Sequence, residues 1–276
     1  MYADDIKIWR TLSTDSDRDN LQDDLDIFTT WLNNHHLTQN ADKCVCMHIN
    51  QRATSNYSHH ISGVPLRVSA CERDLGSRIS ADLSLTPNTD KITKLAWSRM
   101  GVLNRLMGRP NPQTFPVVFK SLVRPLLEVN IQALNPYLIR DIRAIENVQR
   151  RATKRVVGLW DTPYTERLKI LKLFPLDYRR FRGDLILMYK IMRTEDHPLQ
   201  AIFDRSLTHT RGHPFKVNIR LAQSNIRKYS FSIRACKPWN SLPSELVLLD
   251  SLDSFKLGID KLYNEGRLGF TSSSDT

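Results

Sequence analysis

The chain has 276 residues, 41% of them hydrophobic, and a formal net charge of +11 at pH 7. Such length and apolar content make room for one large or two modest packed domains, which excludes wholesale disorder. Four cysteines without a Cys-x-x-Cys pair exclude a disulfide framework. The sequence shows neither an apolar run of membrane-spanning length nor a signal-peptide pattern, so an intracellular, reduced setting without membrane contact is expected.

The charge is unevenly spread. Residues 1–90 hold 8 Lys/Arg and 13 Asp/Glu, a balance of −5, whereas residues 91–276 hold the remaining 32 and 16, a balance of +16. A polyanion is the natural partner of the downstream part, and a generally basic soluble surface is the plainer alternative.

Residues 1–10 read as the remnant of a strand pair, an apolar run broken by Asp4 and Asp5. Paired acids at such a turn suit Mg²⁺, which takes oxygen ligands and usually only one or two carboxylates plus substrate phosphates. An Asp-Asp turn without chemistry is the plain reading of the pair taken alone. A helix is predicted over 15–34, with Leu21, Leu25, Phe28 and Leu32 at helical spacing and acids crowding its first half. A strand follows over 44–49, then a polar loop over 51–60 and a hairpin over 61–68 turning at Ser62-Gly63. Cys44 and Cys46 alternate with Val45 and Met47 as in a strand, which favours buried thiols over a zinc site with His48. His35-His36 and His59-His60 are adjacent pairs whose side chains diverge, so surface histidines are expected.

From Thr86-Pro87 onward the pattern turns helical, with helices predicted at about 87–107, 112–128, 138–157, 163–173 and 177–193. Pro125 is expected to kink or end the second, and Gly158 to stop the third. Residues 194–240 are less regular, with His209, Gly212, His213 and Pro214 in a loop. A final helix is predicted over 250–264 before a polar tail. Within the third helix, Ile142, Ile145, Val148, Ala152 and Val156 make an apolar face that leaves Arg150, Arg151, Lys154 and Arg155 outward. A second cluster, Arg179, Arg180 and Arg182, is interleaved with Tyr178 and Phe181. Arginines bind phosphate and stack on bases, so both clusters are candidate nucleic-acid contacts, with Tyr178 and Phe181 assigned to the core. A solvated helix face is the alternative for the arginines.

Several longer strings stand out along the chain. They are Tyr2-Ala3-Asp4-Asp5, Arg124-Pro125-Leu126-Leu127-Glu128, Asn135-Pro136-Tyr137-Leu138, Glu146-Asn147-Val148-Gln149-Arg150-Arg151-Ala152-Thr153-Lys154, Tyr178-Arg179-Arg180, Arg182-Gly183-Asp184-Leu185, Tyr189-Lys190-Ile191, Trp239-Asn240-Ser241-Leu242-Pro243 and Ser254-Phe255-Lys256. In these, from residue 2 to about 263, the chain resembles the C-terminal part of a reverse transcriptase from a non-LTR (LINE-type, jockey/CR1-like) retrotransposon.

The resemblance implies an α+β palm remnant at 1–85 beginning in the Tyr-Ala-Asp-Asp motif. It implies a mainly α-helical thumb-like region at 86–193, a C-terminal region at 194–268 and a disordered tail at 269–276. It implies an RNA-directed DNA polymerase that uses Mg²⁺ and dNTPs to extend a DNA primer on an RNA template, with the nucleus as its place. Asp4 and Asp5 would hold the metals, Tyr2 would sit near the primer end, and Lys43 would approach the triphosphate as a general acid. Leu75-Gly76 falls at the family's primer-grip hairpin. The family carries fingers and a palm strand with another catalytic Asp ahead of this motif, so the 276-residue chain is expected to be inactive alone, with a non-catalytic nucleic-acid-binding remnant as the alternative. Asp74, Val129 and Leu134 stand where the family commonly has aromatics. Trp239-Asn240-Ser241-Leu242-Pro243 is expected to be structural, with a buried Trp and a helix N-cap at Asn240 or Ser241.

Overall fold

A computed structural model of the chain describes residues 5–49, 57–206, 212–270 and 272. The fold is α+β and mainly helical, and it divides into two compact units, residues 1–84 and 85–276. Tyr2, Asp4, His209 and most of the expected tail lie outside the described residues.

In the first unit, α1 (Ser16–Asn34) buries Leu25 and Leu32 and half-buries Leu21 and Phe28, the face its spacing predicts. Asp17 ties down the preceding turn by accepting the N–H groups of Ser13 and Thr14 at 2.8 and 2.7 Å. The strands are β1 (Val45–Cys46), β2 (His60–Ile61), β3 (Val64–Pro65), β4 (Arg67–Val68), β5 (Cys71–Asp74) and β6 (Ser77–Ser80). They pair as three separate two-stranded ladders: β1 with β4 in parallel, β2 with β3 and β5 with β6 antiparallel. Both hairpins turn on two residues of positive φ, Ser62 and Gly63 (50° and 77°) and Leu75 and Gly76 (42° and 79°). That is the type I′ geometry whose twist matches antiparallel strands.

The strand predicted over 44–49 is only two residues long, and the described residues 6–10 carry no strand. Ile6, Ile8 and Trp9 are instead exposed. Alternating or apolar residues make a strand only where a neighbouring chain accepts their backbone groups. The unit's core is correspondingly small: Leu25, Ile61 and Leu66, with half-buried Ala41, Cys44 and Cys46. A side-chain clasp reinforces it, since the Gln22 amide donates to the His60 carbonyl at 3.0 Å and accepts the His60 N–H at 2.9 Å. His59 is buried rather than at the surface, and burial pushes its pKa down.

The second unit contains α2 (Thr86–Met107), α3 (Thr114–Leu122), α4 (Arg124–Leu127), α5 (Ile139–Lys154), α6 (Tyr164–Ile170) and α7 (Leu176–Arg193). It continues with the shorter α8 (Asn225–Lys228), α9 (Phe231–Arg234), α10 (Cys236–Asn240) and α11 (Ser244–Val247), and ends with α12 (Leu252–Asn264). The single helix expected over 112–128 is split at Val123. Pro125 stands in the first turn of α4, where its missing N–H costs nothing, and so restarts the helix rather than kinking it. One core joins Ile92, Ala96 and Met100 of α2 to Phe115 and Phe119 of α3 and to Ile145, Val148 and Ala152 of α5. A second gathers Tyr178, Leu185 and Met188 of α7 around Trp239, Phe255 and Ile259.

Candidate nucleic-acid interface

Helix α5 has two working faces. Its buried side carries Ile145, Val148 and Ala152, the apolar stripe read from spacing, and Ile142 is half-buried. The helix also buries polar residues, among them Glu146, Gln149 and Thr153. Glu146 accepts the N–H groups of Leu176 and Asp177 at 2.9 and 3.3 Å and a hydrogen bond from the Tyr164 hydroxyl. It thereby caps α7 from outside, satisfying donors that every helix N-terminus leaves open. Burial raises its pKa, and the Tyr164 hydroxyl bond opposes that rise. Gln149 donates to the Tyr164 oxygen and to the Phe174 carbonyl, each at 3.0 Å. Arg167 donates to the Thr153 hydroxyl at 3.1 Å, to the Thr162 carbonyl at 2.7 Å and to the Arg150 carbonyl at 3.1 Å. The string from Glu146 to Thr153 is therefore a joint that holds α6 and the start of α7 to α5.

The other side of α5 is cationic. Arg151 and Arg155 are exposed, and Arg150 and Lys154 are half-buried. Cations near a helix C-terminus complement its dipole, so the charge is locally stabilised where it is concentrated. Among the described residues, none of Arg151, Lys154 and Arg155 makes an ion pair with a carboxylate. Three of the four cations lie on aromatic rings instead: Arg150 over Tyr164 at 4.3 Å, Lys154 over Trp160 at 4.5 Å and Arg151 over Trp97 at 5.6 Å from the ring centroids. Gly158, with φ of 77°, reverses the chain just beyond α5. Leu159 then enters the core while Trp160 stays 61% exposed beside Lys154. Trp97 comes from α2 and is 37% exposed, with the exposed Lys94 one turn before it. Arg155 is the one charged residue lining a shallow cleft whose other walls include Met100, Leu103, Met107, Phe115 and Phe119.

The second basic cluster is employed internally. Arg179 forms a two-point ion pair with Glu128, the second contact at 3.0 Å, and Arg182 holds both oxygens of Asp260 at 2.6 and 2.9 Å. Arg180 is only 3% exposed, and burial pushes its pKa down. The structure corrects the expectation for these three residues: their guanidinium groups brace α7 against Glu128 and α12 or lie in the interior, so they present no open cationic face. Tyr178 is fully buried and donates to Asp260 at 2.8 Å, and Phe181 is half-buried against Phe270. Asp184 of the same helix is buried and takes a two-point bond from Arg234 at 2.8 and 2.9 Å.

Sequence reasoning missed Trp97 and Trp160. They lie 54 and 9 residues from Arg151, and no local pattern links them to it. It also misplaced Asn240 and Ser241, which are N-caps of no described helix: Asn240 ends α10, Ser241 is its C-cap, and Pro243 is the N-cap of α11. Asn240 instead uses both ends of its amide on Val217, accepting its N–H at 3.0 Å and donating to its carbonyl at 2.7 Å. Trp239 is fully buried and donates to the Phe215 carbonyl at 2.7 Å.

Of the residues assigned to metal chemistry, Asp5 is exposed and its partner Asp4 lies outside the described residues. Lys43 is exposed at the end of a single 3-10 turn over 41–43. Among the described residues the side chains of Asp5 and Lys43 make no hydrogen bond or ion pair, and no three His, Cys, Asp or Glu residues group as metal ligands. Only one of the two carboxylates assigned to Mg²⁺, Asp5, lies within the described residues. Among the described residues no helix is long and apolar enough to cross a membrane. No family model, curated protein or solved structure matches the chain.

Proposed function

We propose that residues 85–276 bind nucleic acid through the exposed face of α5, as part of an RNA-directed DNA polymerase of the non-LTR retrotransposon type. The observation that carries the binding is the set of Arg151, Lys154 and Arg155, cations on one helix end without carboxylate partners among the described residues, in a chain whose residues 91–276 carry a net charge of +16. Paired arginines are neutralised where they stand, as Arg179 and Arg182 are. Unpaired ones are the groups that displace counterions from a phosphate backbone.

The polymerase identity rests on the motifs that the chain shares with that family. Under it, residues 1–85 are a piece of palm and 86–193 are thumb-like. RNA template, DNA primer and dNTPs are the partners of the intact enzyme, and Asp4 and Asp5 hold Mg²⁺, with Lys43 near the triphosphate. The α5 face would then grip the template–primer, independently of whether this chain polymerises. A basic remnant without catalysis has the same binding face, and the 276-residue chain alone is expected to be inactive under either reading. Mg²⁺-dependent extension by the full chain, abolished by Asp4→Asn, would demonstrate the enzyme.

The binding itself is tested by fluorescence anisotropy with labelled duplex over a series of salt concentrations. Affinity should fall steeply with salt, and reversal of Arg151 and Lys154 to Glu should flatten the log–log slope by about two or more phosphate contacts. Binding that ignores salt, or that survives the double reversal unchanged, overturns the reading.

A further inference from the structure

Phosphate neutralisation explains why α5 is basic, but not why its cations lie on exposed indole rings. A buried tryptophan under an arginine is ordinary packing. Trp160 is not buried: with 61% of its surface exposed, Lys154 covers only part of the ring. Trp97 is in the same situation beside Arg151, with Lys94 exposed one turn earlier on α2. Arg151 and Lys154 are three residues apart and so lie on the same side of α5, each with one indole ring against it. The arrangement is built from three separate pieces of chain, α2, α5 and the turn at Gly158.

We infer that this arrangement is a site for unpaired nucleic acid, with Trp97 and Trp160 as platforms for bases while Arg151, Lys154 and Arg155 hold the intervening phosphates. The inference rests on the nucleic-acid reading above and adds the state of the strand. In a duplex the base faces are stacked against each other, so only the backbone is available to the cations. In an unpaired strand the bases can swing out and stack on an open aromatic ring beside a cation. Every base has such a face, so the site discriminates by strandedness and not by sequence. Among the described residues, neither Trp160 nor Trp97 belongs to either core of the second unit.

The test uses the full chain with labelled oligo-uridylate, oligo-thymidylate and a mixed-sequence duplex of equal length, each titrated across salt. Unpaired strands should bind more tightly than duplex. Trp160→Leu should weaken unpaired-strand binding roughly five-fold or more, the effect of losing one stacked base, with duplex binding and the salt slope unchanged. Trp160→Phe should recover most of the loss, and Trp97→Leu should act in the same direction. Similar loss with both homopolymers assigns the site to any unpaired strand, whereas loss with oligo-uridylate alone assigns it to RNA. Salt-dependent binding without preference for unpaired strands, or a preference untouched by Trp160→Leu, overturns this inference and leaves the phosphate-binding reading standing. No salt-dependent binding to any of the three probes overturns both. Trp160 is at the surface, so its replacement leaves the core intact, and an unchanged unfolding midpoint verifies that the variant is folded.

Discussion

The carboxylate of Glu146, in the middle of α5, accepts the backbone N–H of Leu176 at the first residue of α7 at 2.9 Å. One side chain thus joins two helices 30 residues apart, and the Tyr164 hydroxyl shares it. The position of α7, and with it the second core, is set from the same helix that carries the cationic face.

Removing that carboxylate leaves a buried hydroxyl and two buried backbone donors without an acceptor. Glu146→Ala is expected to cost about 3–5 kcal/mol of stability, and Glu146→Gln, which keeps one acceptor oxygen, clearly less. Urea unfolding of the three proteins checks the order. A Glu146→Ala protein as stable as the parent would show that the joint is not energetically important.

The two arginine clusters should separate in function. Arg179→Ala and Arg182→Ala break half-buried two-point ion pairs and are expected to lower stability by roughly 1–3 kcal/mol each while leaving the salt dependence of nucleic-acid binding unchanged. Arg151→Ala should do the opposite: little change in stability and a shallower salt slope. Parallel unfolding and anisotropy measurements on the three variants decide the matter.

His213 is buried, and its Nε2 lies 2.9 Å from the Trp239 carbonyl oxygen, to which the ring donates. Burial pushes its pKa below the ordinary value of 6.5, with Lys216 adding to the effect. Its folded-state pKa is the lower one, so its contribution to stability is present above about 6.5 and is lost as pH falls through the depressed value. His213→Gln keeps a donor but removes the titration. The difference in unfolding free energy between wild type and this variant should therefore change below pH 6.5 and be flat above it. A difference independent of pH over that range would show that folding leaves the pKa of His213 unchanged. His59, in the other unit, is common to both proteins and cancels.

Asn240 holds Val217 by both polar groups of its backbone, the way a neighbouring strand would. Asn240→Ala should cost about 1–3 kcal/mol. It should also raise the hydrogen-exchange rate of the Val217 amide, whereas Ser241→Ala should leave that amide protected. Equal protection of Val217 in the two variants would remove Asn240 from this role.

The long helices are legible in the sequence because each carries its own period. Leu25 and Leu32 in α1 and Ile145, Val148 and Ala152 in α5 recur at helical spacing, and Ser62-Gly63 has the composition of a tight turn. What could not be read from periodicity is the polar half of the α5 interior. Glu146, Gln149 and Thr153 score as surface residues in any local pattern, and they are buried only because Tyr164, Phe174 and Arg167 arrive to satisfy them. The two basic strings are likewise indistinguishable as strings.

From the sequence by itself follow the helical periods, the turn chemistry and the charge asymmetry, because these depend on neighbours within a few residues or on composition alone. Tertiary structure decided which cations are available. Arg179 and Arg182 meet Glu128 and Asp260, 51 and 78 residues away, while Arg151 and Lys154 lie against indole rings and, among the described residues, pair with no carboxylate. An ion pair forms wherever folding brings opposite charges within a few ångströms, and that distance is set by the packing of helices far apart in the chain.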